Sequence, residues 1–358
     1  MNEHKKEGSM RKRLWAGGFG LWAIVLLVTL TASISFARDI DAKTGSIVKK
    51  SIELLKDKRY EHDAVINLIA LGDSAVPSLV DVINNKEEKM SQKLTVIDIL
   101  GDIKSPGATD CLTVSIKDSN VKIRRASAKA LGRIGDNKAV AGLKEALSDF
   151  DGEVRFLATR SLQQIKDPSL GDTFIKLLDD PDVRIKILAS DGLGDIKETK
   201  AVAKLSSMIG DYNDNVRLSL AISLGKIGTR DAIPALNTLL EDRNIAVRRE
   251  ALKALGKVGD PSSIPYLIKI AERDNKDLRY AATIALGDIG TPEVIPTLKK
   301  LLRDEAIDVR LAAIKSLAKI GSSEFVNDLA ALLEDESMKV RREVQAALTA
   351  IKGKEAAK

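Results

Sequence analysis

Histidine, cysteine and aromatic residues are scarce in this chain of 358 residues. It contains two histidines, one cysteine and 3% aromatic residues, and both tryptophans lie within the first 22 residues. One cysteine excludes an internal disulfide, and two histidines exclude a metal centre of the His-rich kind. The aromatic content is low for a strand-rich fold or a ligand pocket. The composition therefore predicts neither a metal nor a cofactor.

Residues that could carry catalysis are also few. The glycines follow helical patterns, and none belongs to a phosphate-binding GxxxxGK loop. Cys111 lies in ATDCLTVSIKD, next to Asp110 and with no nearby histidine that could activate it. His62 is the one histidine beyond His4, and we expect it to be a surface residue. We therefore predict that the chain is not an enzyme.

Residues 14–37 carry no charge and follow five basic residues. A stretch of 24 residues is long enough to cross a bilayer, and the basic flank on its N-terminal side predicts export of the rest. The small residues Ser35 and Ala37 favour cleavage as a signal peptide, whereas the full stretch could also remain as an anchor. We expect an exported, periplasmic or otherwise extracytoplasmic protein. It would be soluble after cleavage, or held at the membrane by residues 14–37.

Half of the net charge of the whole chain, +6, lies in residues 1–37. Residues 1–37 hold five of the basic and two of the acidic residues, which leaves 52 basic and 49 acidic residues in the remainder. A nucleic-acid interface needs a concentrated positive face. The near balance of charge predicts that nucleic acid is not a partner.

A period of 31 residues dominates the sequence. A leucine recurs in it nine times without a slip, usually after a small residue and three residues before Ile or Val. These leucines are Leu100, Leu131, Leu162, Leu193, Leu224, Leu255, Leu286, Leu317 and Leu348. Because the register never slips, the sequence predicts a repeat protein.

Each repeat has the pattern of two helices. Val247, Ala251 and Leu255 follow the spacing of one helical face, and Gly259 is suited to end that helix in the left-handed conformation. Asp260 is a good N-cap, and a proline follows it directly. We expect a short tight turn after the cap and then a second helix. Two such helices bury too little surface alone, so neighbouring repeats must stack.

The string VRREALKALGKVGDPSSIPYL, residues 247–267, resembles the short HEAT-like repeat, also called the phycobilisome-lyase-type HEAT repeat. The resemblance recurs over roughly residues 90–351. It implies an all-α fold, an α-solenoid of stacked helical pairs whose first helices form the convex face and whose second helices line the concave face. Iron-dependent hydroxylases built on such repeats use several His-Glu pairs, and no His-Glu dipeptide occurs here.

The chain divides into five segments on this interpretation. A signal peptide or membrane anchor (1–37) is followed by a linker (38–44) and a degenerate N-terminal capping repeat (45–89), in which IALGDSAVPSLVDVI lies one residue out of register. The repeat solenoid (90–351) and a charged C-terminal tail (352–358) complete the chain.

A cation stands seven residues before each repeated leucine. We call seven of these the arginine ladder: Arg124, Arg155, Arg217, Arg248, Arg279, Arg310 and Arg341. It could bind an anionic partner, but aspartates recur six residues before the cations, at Asp118, Asp149, Asp180, Asp211, Asp242, Asp304 and Asp335. Arginine and aspartate of adjacent repeats can pair, so we predict a structural role. Replacement of Arg248 by Ala should then mainly lower thermal stability.

The solvent-exposed side of the second helices is the remaining candidate site. Its predicted residues, a mildly basic set with one tyrosine suited to anchor a partner, are Lys176, Lys204, Asn237, Thr238, Tyr266, Lys269, Lys299 and Lys300. The sequence thus predicts a scaffold or adaptor that binds a protein partner there. Alternatives are a lyase-like protein that handles a chromophore or cofactor and, more narrowly, an assembly factor for envelope complexes.

Overall fold

A computed structural model describes residues 41–356 of the chain. The segment predicted as a signal peptide or anchor, residues 1–37, lies outside the described residues. Every regular element from residue 41 to residue 356 is helical, as predicted.

The first elements are α1 (41–54), α2 (Glu61–Leu71) and α3 (Val76–Asn84). The first helices of the following repeats are α4 (Met90–Ile103), α6 (Val121–Ile134), α8 (Gly152–Ile165), α10 (Val183–Asp195), α12 (Asp214–Ile227), α14 (Ile245–Val258), α16 (Lys276–Ile289), α18 (Ile307–Ile320) and α20 (Met338–Ala356). The second helices are α5 (Thr109–Ser115), α7 (Val140–Ala146), α9 (Gly171–Leu177), α11 (Val202–Ser207), α13 (Ile233–Leu239), α15 (Ile264–Arg273), α17 (Ile295–Leu301) and α19 (Val326–Ala330).

The link between the two helices of a repeat is built as the sequence predicts. Gly259 ends α14 with a φ of 70°, and its N–H donates to the carbonyl of Leu255. Asp260 then accepts a hydrogen bond from the N–H of Ser262 and so caps a 3-10 turn, Pro261–Ser263, that leads into α15. Thr229 and Thr291 occupy the same place in other repeats, but their side chains do not cap the turn.

Three repeats place a lysine where the others have this glycine. Lys104, Lys166 and Lys197 adopt φ values of 54–58°. A side chain in the left-handed region is sterically disfavoured, at about 1–2 kcal/mol per residue. These three positions therefore hold backbone strain that the glycine repeats avoid.

The core consists of the repeated leucines and the small residues around them. The eight leucines from Leu100 to Leu317 are completely buried. First helices approach closely where the glycine after one leucine meets the small residue before the next. A Cβ added at Gly256 would lie 2.9 Å from the Cα of Ala285, and one added at Gly194 would lie 2.9 Å from the Cα of Ser223. The glycine is therefore part of the helix contact.

The described residues form two compact units, one up to Gly142 and one from Leu143 onward. In the first unit, Gly72 takes a φ of 55°, one residue out of the 31-residue register. Residues 41–44, predicted as linker, already belong to α1, and α20 continues to Ala356, five residues past the predicted end of the repeats.

The stretch Glu61–Asn84 is long and apolar enough to cross a membrane, by length and composition alone. It consists of α2 and α3 with a 3-10 turn, Gly72–Ala75, between them. Leu68 and Leu79 in it are completely buried. This stretch therefore contributes to the packed core of the first unit.

Candidate partner-binding surface

The second-helix face is the exposed side of α9, α11, α13, α15 and α17, and it carries all eight residues predicted to bind a partner. Most of its lysines reach a carboxylate of a neighbouring repeat. The pairs are Lys204 Nζ with Asp179 Oδ1 (2.6 Å), Lys269 Nζ with Glu241 Oε1 (2.9 Å), Lys300 Nζ with Glu272 Oε1 (2.9 Å) and Lys299 Nζ with Asp328 Oδ2 (3.0 Å). The face is therefore charge-balanced rather than basic.

The remaining predicted residues of this face are spread over three helices. Tyr266 on α15 is 51% exposed, and Lys176 on α9 is exposed. On α13, Thr238 Oγ1 donates to the carbonyl of Pro234 (3.0 Å). Asn237 next to it has a buried Oδ1 with no hydrogen-bond partner among the described residues. The face thus offers an exposed aromatic ring between its charged pairs, whereas the acceptor of Asn237 lies beneath the surface.

A groove of about 860 Å³ opens at the C-terminal ends of α15 and α17. Lys299, Lys300, Arg303 and Asp328 line it, together with Leu332 at its apolar part. Arg303 is the one cation of this lining that has no ion-pair partner among residues 41–356. The groove is therefore a concave site with one cation available to a ligand.

The arginine ladder lies at the junction of consecutive repeats. In most members, Nη1 donates to the backbone carbonyl of the aspartate six residues earlier, as Arg217 does to Asp211 (2.7 Å). In this way the guanidinium satisfies a carbonyl that follows the second helix. Equivalent bonds are made by Arg124 (3.0 Å), Arg155 (2.9 Å), Arg310 (2.8 Å) and Arg341 (2.6 Å).

Four ladder arginines, Arg155, Arg217, Arg279 and Arg310, also reach an aspartate 25 residues further on. Arg217 contacts Asp242 with Nε (2.6 Å) and Nη2 (2.9 Å), and Arg279 contacts Asp304 with both groups (2.9 and 2.8 Å). Arg310 Nε lies 3.0 Å from Asp335 Oδ2. The contact of Arg155 is longer, 3.8 Å to Asp180. Two-point contacts of this kind are strong and geometrically specific.

Each of these aspartates has a second role in its own turn. Asp242 Oδ1 accepts a hydrogen bond from the N–H of Asn244 (2.8 Å), so the carboxylate fixes the turn before α14. Burial raises the pKa of Asp242, but the hydrogen bonds from Arg217 and Asn244 outweigh it and hold the pKa below its usual value. The carboxylate is therefore ionised and bridges two repeats.

One repeat departs from the spacing. Position 273, where the period places an aspartate, holds Arg273, and α15 runs on for ten residues instead of seven. The aspartate comes one residue later, and Arg248 pairs with Asp274 at an offset of 26 residues. The 31-residue spacing alone gives Arg248 no partner aspartate. Asp274, one residue beyond the expected position, was the signal in the sequence that could have identified the partner.

Few other polar groups of the described residues are candidates for metal binding or catalysis. No group of three or more His, Cys, Asp or Glu side chains within residues 41–356 is arranged to hold a metal ion. Cys111 is half-buried, with its Sγ 3.8 Å from Asn84 Oδ1, and burial raises the pKa of its thiol. Asp191 accepts a hydrogen bond from Ser219 Oγ (2.7 Å).

Comparison with known families agrees with this architecture. A model of HEAT repeats matches four overlapping segments, residues 76–163, 140–221, 205–283 and 267–349. The chain belongs to the HEAT repeat proteins. The resemblance predicted from the repeated strings is thereby confirmed, and with it the all-helical solenoid class of fold.

Similar chains are found among solved structures and curated proteins. An engineered protein aligns with a TM-score of 0.53 and 21% identity, over 86% of this chain and 99% of its own. YibA of Escherichia coli aligns with a TM-score of 0.50 and 22% identity, over 75% and 99%. Deoxyhypusine hydroxylase-B of Oryza sativa subsp. japonica is 30% identical over 126 residues, which are 33% of this chain and 40% of the rice protein. The aligned part thus spans less than half of that relative.

Proposed function

We propose that this HEAT repeat protein is a non-catalytic scaffold that binds a protein partner on its second-helix face. The observation that carries the proposal is the groove at the ends of α15 and α17, bordered by exposed ion pairs and by Arg303. Concave sites with a few convergent polar groups are the usual places of binding. Tyr266, one repeat away, supplies the aromatic anchor that interfaces favour.

The ion pairs of this face suit a protein partner. Lys269 and Glu241 are 66% and 69% exposed in their side chains. Pairs as exposed as this contribute about 0–1 kcal/mol to stability. They can therefore exchange partners with incoming charged side chains at little cost. Arg303 selects for a carboxylate on the partner, because it is the cation of the groove that no described residue neutralises.

Nucleic acid is a poorer candidate for this face. Binding to a phosphate backbone releases counterions from cations that each neutralise a phosphate. On this face, four of the predicted lysines already pair with carboxylates of adjacent repeats. We therefore assign the face to a protein, and steeply salt-dependent binding of DNA would contradict this assignment.

Catalysis is not part of the proposal, despite the similarity to a rice hydroxylase. That similarity reaches 40% of the rice protein's length, and stacked repeats alone suffice to produce it. The sequence has two histidines and no His-Glu dipeptide. A lyase-like protein that handles a chromophore is the alternative in the same family, and purified protein that retained a bound pigment would favour it.

Export is the second element of the proposal. The uncharged stretch 14–37 and its basic flank support a periplasmic or membrane-anchored scaffold, for example an assembly factor for envelope complexes. N-terminal sequencing of the protein from its native cells tests this. A new N-terminus near Ala37 indicates cleavage, an intact one in the membrane fraction indicates an anchor, and an intact one in the cytosol contradicts export.

Site-specific photo-crosslinking in native cells tests the binding face. A photoreactive phenylalanine is placed at Tyr266 and, as a matched control, at Lys253 on the first-helix side of the preceding helix. We expect a discrete crosslinked protein from position 266 and none from position 253. The crosslink should weaken at least fivefold when Arg303 is replaced by Glu, because the available cation is then reversed.

Two results would contradict the proposal. Equal crosslinking from both positions would show that contacts are unspecific. An unchanged crosslink in the Arg303→Glu variant, with unchanged melting temperature, would show that the groove is not part of the interface.

A further inference from the structure

A second, smaller groove lies on the opposite, first-helix side, between α16 and α18. It has a volume of about 380 Å³, within the range of about 300–1,000 Å³ typical of ligand clefts. Tyr280 and Ile284 form the wall on α16, Leu311 and Lys315 form the wall on α18, and Gly287 lies in the floor. Because a Cβ at Gly287 would collide with Ser316, the two helices approach closely there.

The walls of this groove expose large apolar side chains. Tyr280 is 42% exposed and Ile284 is 38% exposed. Ile307 at the start of α18 and Met338 at the start of α20 are exposed as well. Tyr280 and Ile284 lie one turn apart on α16 and line the same groove as Leu311, so they differ from the single exposed residues that every surface has. This apolar lining is suited to contact with a partner.

The charged residues of the groove indicate the charge of a partner that would fill it. Lys319 Nζ lies 2.7 Å from Asp288, and Lys315 Nζ lies 3.7 Å from Glu343. Asp308 is exposed and is the one charged residue of the lining without an ion-pair partner among residues 41–356. Asp277, one helical turn before Tyr280, is likewise exposed and unpaired within the described chain. The lining of the groove therefore holds one carboxylate, that of Asp308, which no described residue neutralises.

The repeat register shows that folding does not require this apolar pair. Position 284 corresponds to Lys253 in the preceding repeat and to Lys315 in the next. Position 280 corresponds to Arg249 in the preceding repeat and, two repeats later, to Arg342. The same helical scaffold thus accepts long cationic side chains at both places. Isoleucine recurs at the second position as Ile222 of α12, but the combination of tyrosine and isoleucine occurs in α16 alone.

We infer that this groove is a docking site for a basic amphipathic segment of a protein partner. An apolar side chain of the segment fills the space between Ile284 and Leu311, and a lysine or arginine one turn away pairs with Asp308. This is the helix-in-groove mode of recognition. The site lies on a different face from the proposed scaffold surface and stands independently of it.

Peptide selection on the full chain, solubilised in detergent, tests the inference. A random 12-residue display library is selected on the wild-type protein, and the enriched peptides are measured by fluorescence anisotropy. We expect peptides with Leu, Phe or Trp within four positions of Lys or Arg. Affinity should fall at least tenfold for Ile284→Lys, and about fivefold for Asp308→Asn. The second loss should shrink in 0.5 M salt, because salt screens exposed charges.

The matched control is Ile222→Lys, at the same repeat position of α12 but outside the groove. It should bind the peptides as the wild type does, and all three variants should keep the helical circular dichroism of the wild type. Enrichment of acidic or uncharged peptides, no enrichment, or equal binding to Ile284→Lys would overturn the inference. A concentration-dependent dimer that Ile284→Lys abolishes would assign the groove to a second copy of this chain and would also overturn it.

Discussion

Arg217 and Asp242 form a two-point ion pair across the junction of two repeats, with Nε and Nη2 of the arginine 2.6 and 2.9 Å from the carboxylate. Both side chains are almost completely buried, at 6% and 7% exposure. The arginine also holds the carbonyl of Asp211, and the aspartate also holds the N–H of Asn244. One pair of side chains therefore fixes two turns and the spacing between them.

Removal of this arginine should destabilise the repeats that it joins. In Arg217→Ala, Asp242 remains buried without its partner, and loss of one member of a buried pair costs about 3–5 kcal/mol. Because Asp242 keeps the hydrogen bond from the N–H of Asn244, we expect a loss at the lower end of this range, about 3 kcal/mol. Urea unfolding followed by circular dichroism measures the change.

Arg243→Ala is the control for this prediction. The side chain of Arg243 is 72% exposed and contacts Asp214 at 3.3 Å, so its loss should change stability by less than about 0.5 kcal/mol. Equal effects of the two substitutions would show that the arginine ladder does not stabilise the repeats.

Gly256→Ala should destabilise the protein although alanine favours helix. The new Cβ would lie 2.9 Å from the Cα of Ala285, which belongs to a backbone that cannot move aside freely. Overpacking costs about 1–3 kcal/mol, against a gain of about 1 kcal/mol in helix propensity. We expect a net loss of up to about 2 kcal/mol. Gly45→Ala in α1, where nothing lies within 4 Å, should instead stabilise by about 0.5–1 kcal/mol.

Lys104→Gly should stabilise the chain. Lys104 ends α4 with a φ of 58°, in the region that glycine adopts without steric cost. We expect a gain of about 1 kcal/mol, read from the urea midpoint. The converse substitution, Gly259→Ala at a φ of 70°, should cost about as much. A destabilised Lys104→Gly variant would show that the lysine side chain contributes more than its backbone strain removes.

Asp191→Asn should stabilise at neutral pH and not at acidic pH. Burial raises the pKa of Asp191 more than the hydrogen bond from Ser219 and the charge of Lys226 lower it. A raised carboxyl pKa means that ionisation is less favourable in the folded state than in the unfolded state. The resulting loss of stability is absent below the unfolded pKa, grows as pH rises between the two pKa values, and is complete above the folded pKa. Unfolding of both proteins at pH 3 and pH 7 measures the difference. A gain that persists at pH 3 would contradict the assigned cause.

The opposite sign applies to Asp242. The pKa of Asp242 lies below its usual value, so its contribution to stability is present above the unfolded pKa and is lost as pH falls through the folded pKa. Acid should therefore weaken the wild type more than Asp242→Asn. If both variants lost stability equally on acidification, the pair with Arg217 would not be the acid-sensitive contact.

The repeat, its two helices and their caps follow from the sequence because they depend on local chemistry. The period places Leu255 in the core, Gly259 at a left-handed position and Asp260 at a cap without knowledge of the rest of the chain. The role of Gly256 was not foreseen. Its pattern matches a helix interior, and only the position of Ala285 in the next repeat explains why it has no side chain.

The charges of the second-helix face were harder to predict for the same reason. The sequence gives no sign that Lys269 and Lys300 are paired, but in the structure each contacts a glutamate 28 residues away. An offset of this length links neighbouring repeats, and it becomes visible only when the stacking of the helices is known. The displaced pair of Arg248 and Asp274 shows the same limit, because the longer helix α15 moves the aspartate one residue along the chain.

The constant offset between ladder partners has a consequence for chain length. Excision of residues 280–310, one complete period, would bring Arg279 opposite Asp335 in place of Asp304, and the same type of bridge would form. Because consecutive repeats are joined by the same type of arginine–aspartate contact, whole repeats can be gained or lost without the need for a new kind of interface. The number of repeats can therefore change in steps of 31 residues, so that the length of the binding surface matches the size of its partner.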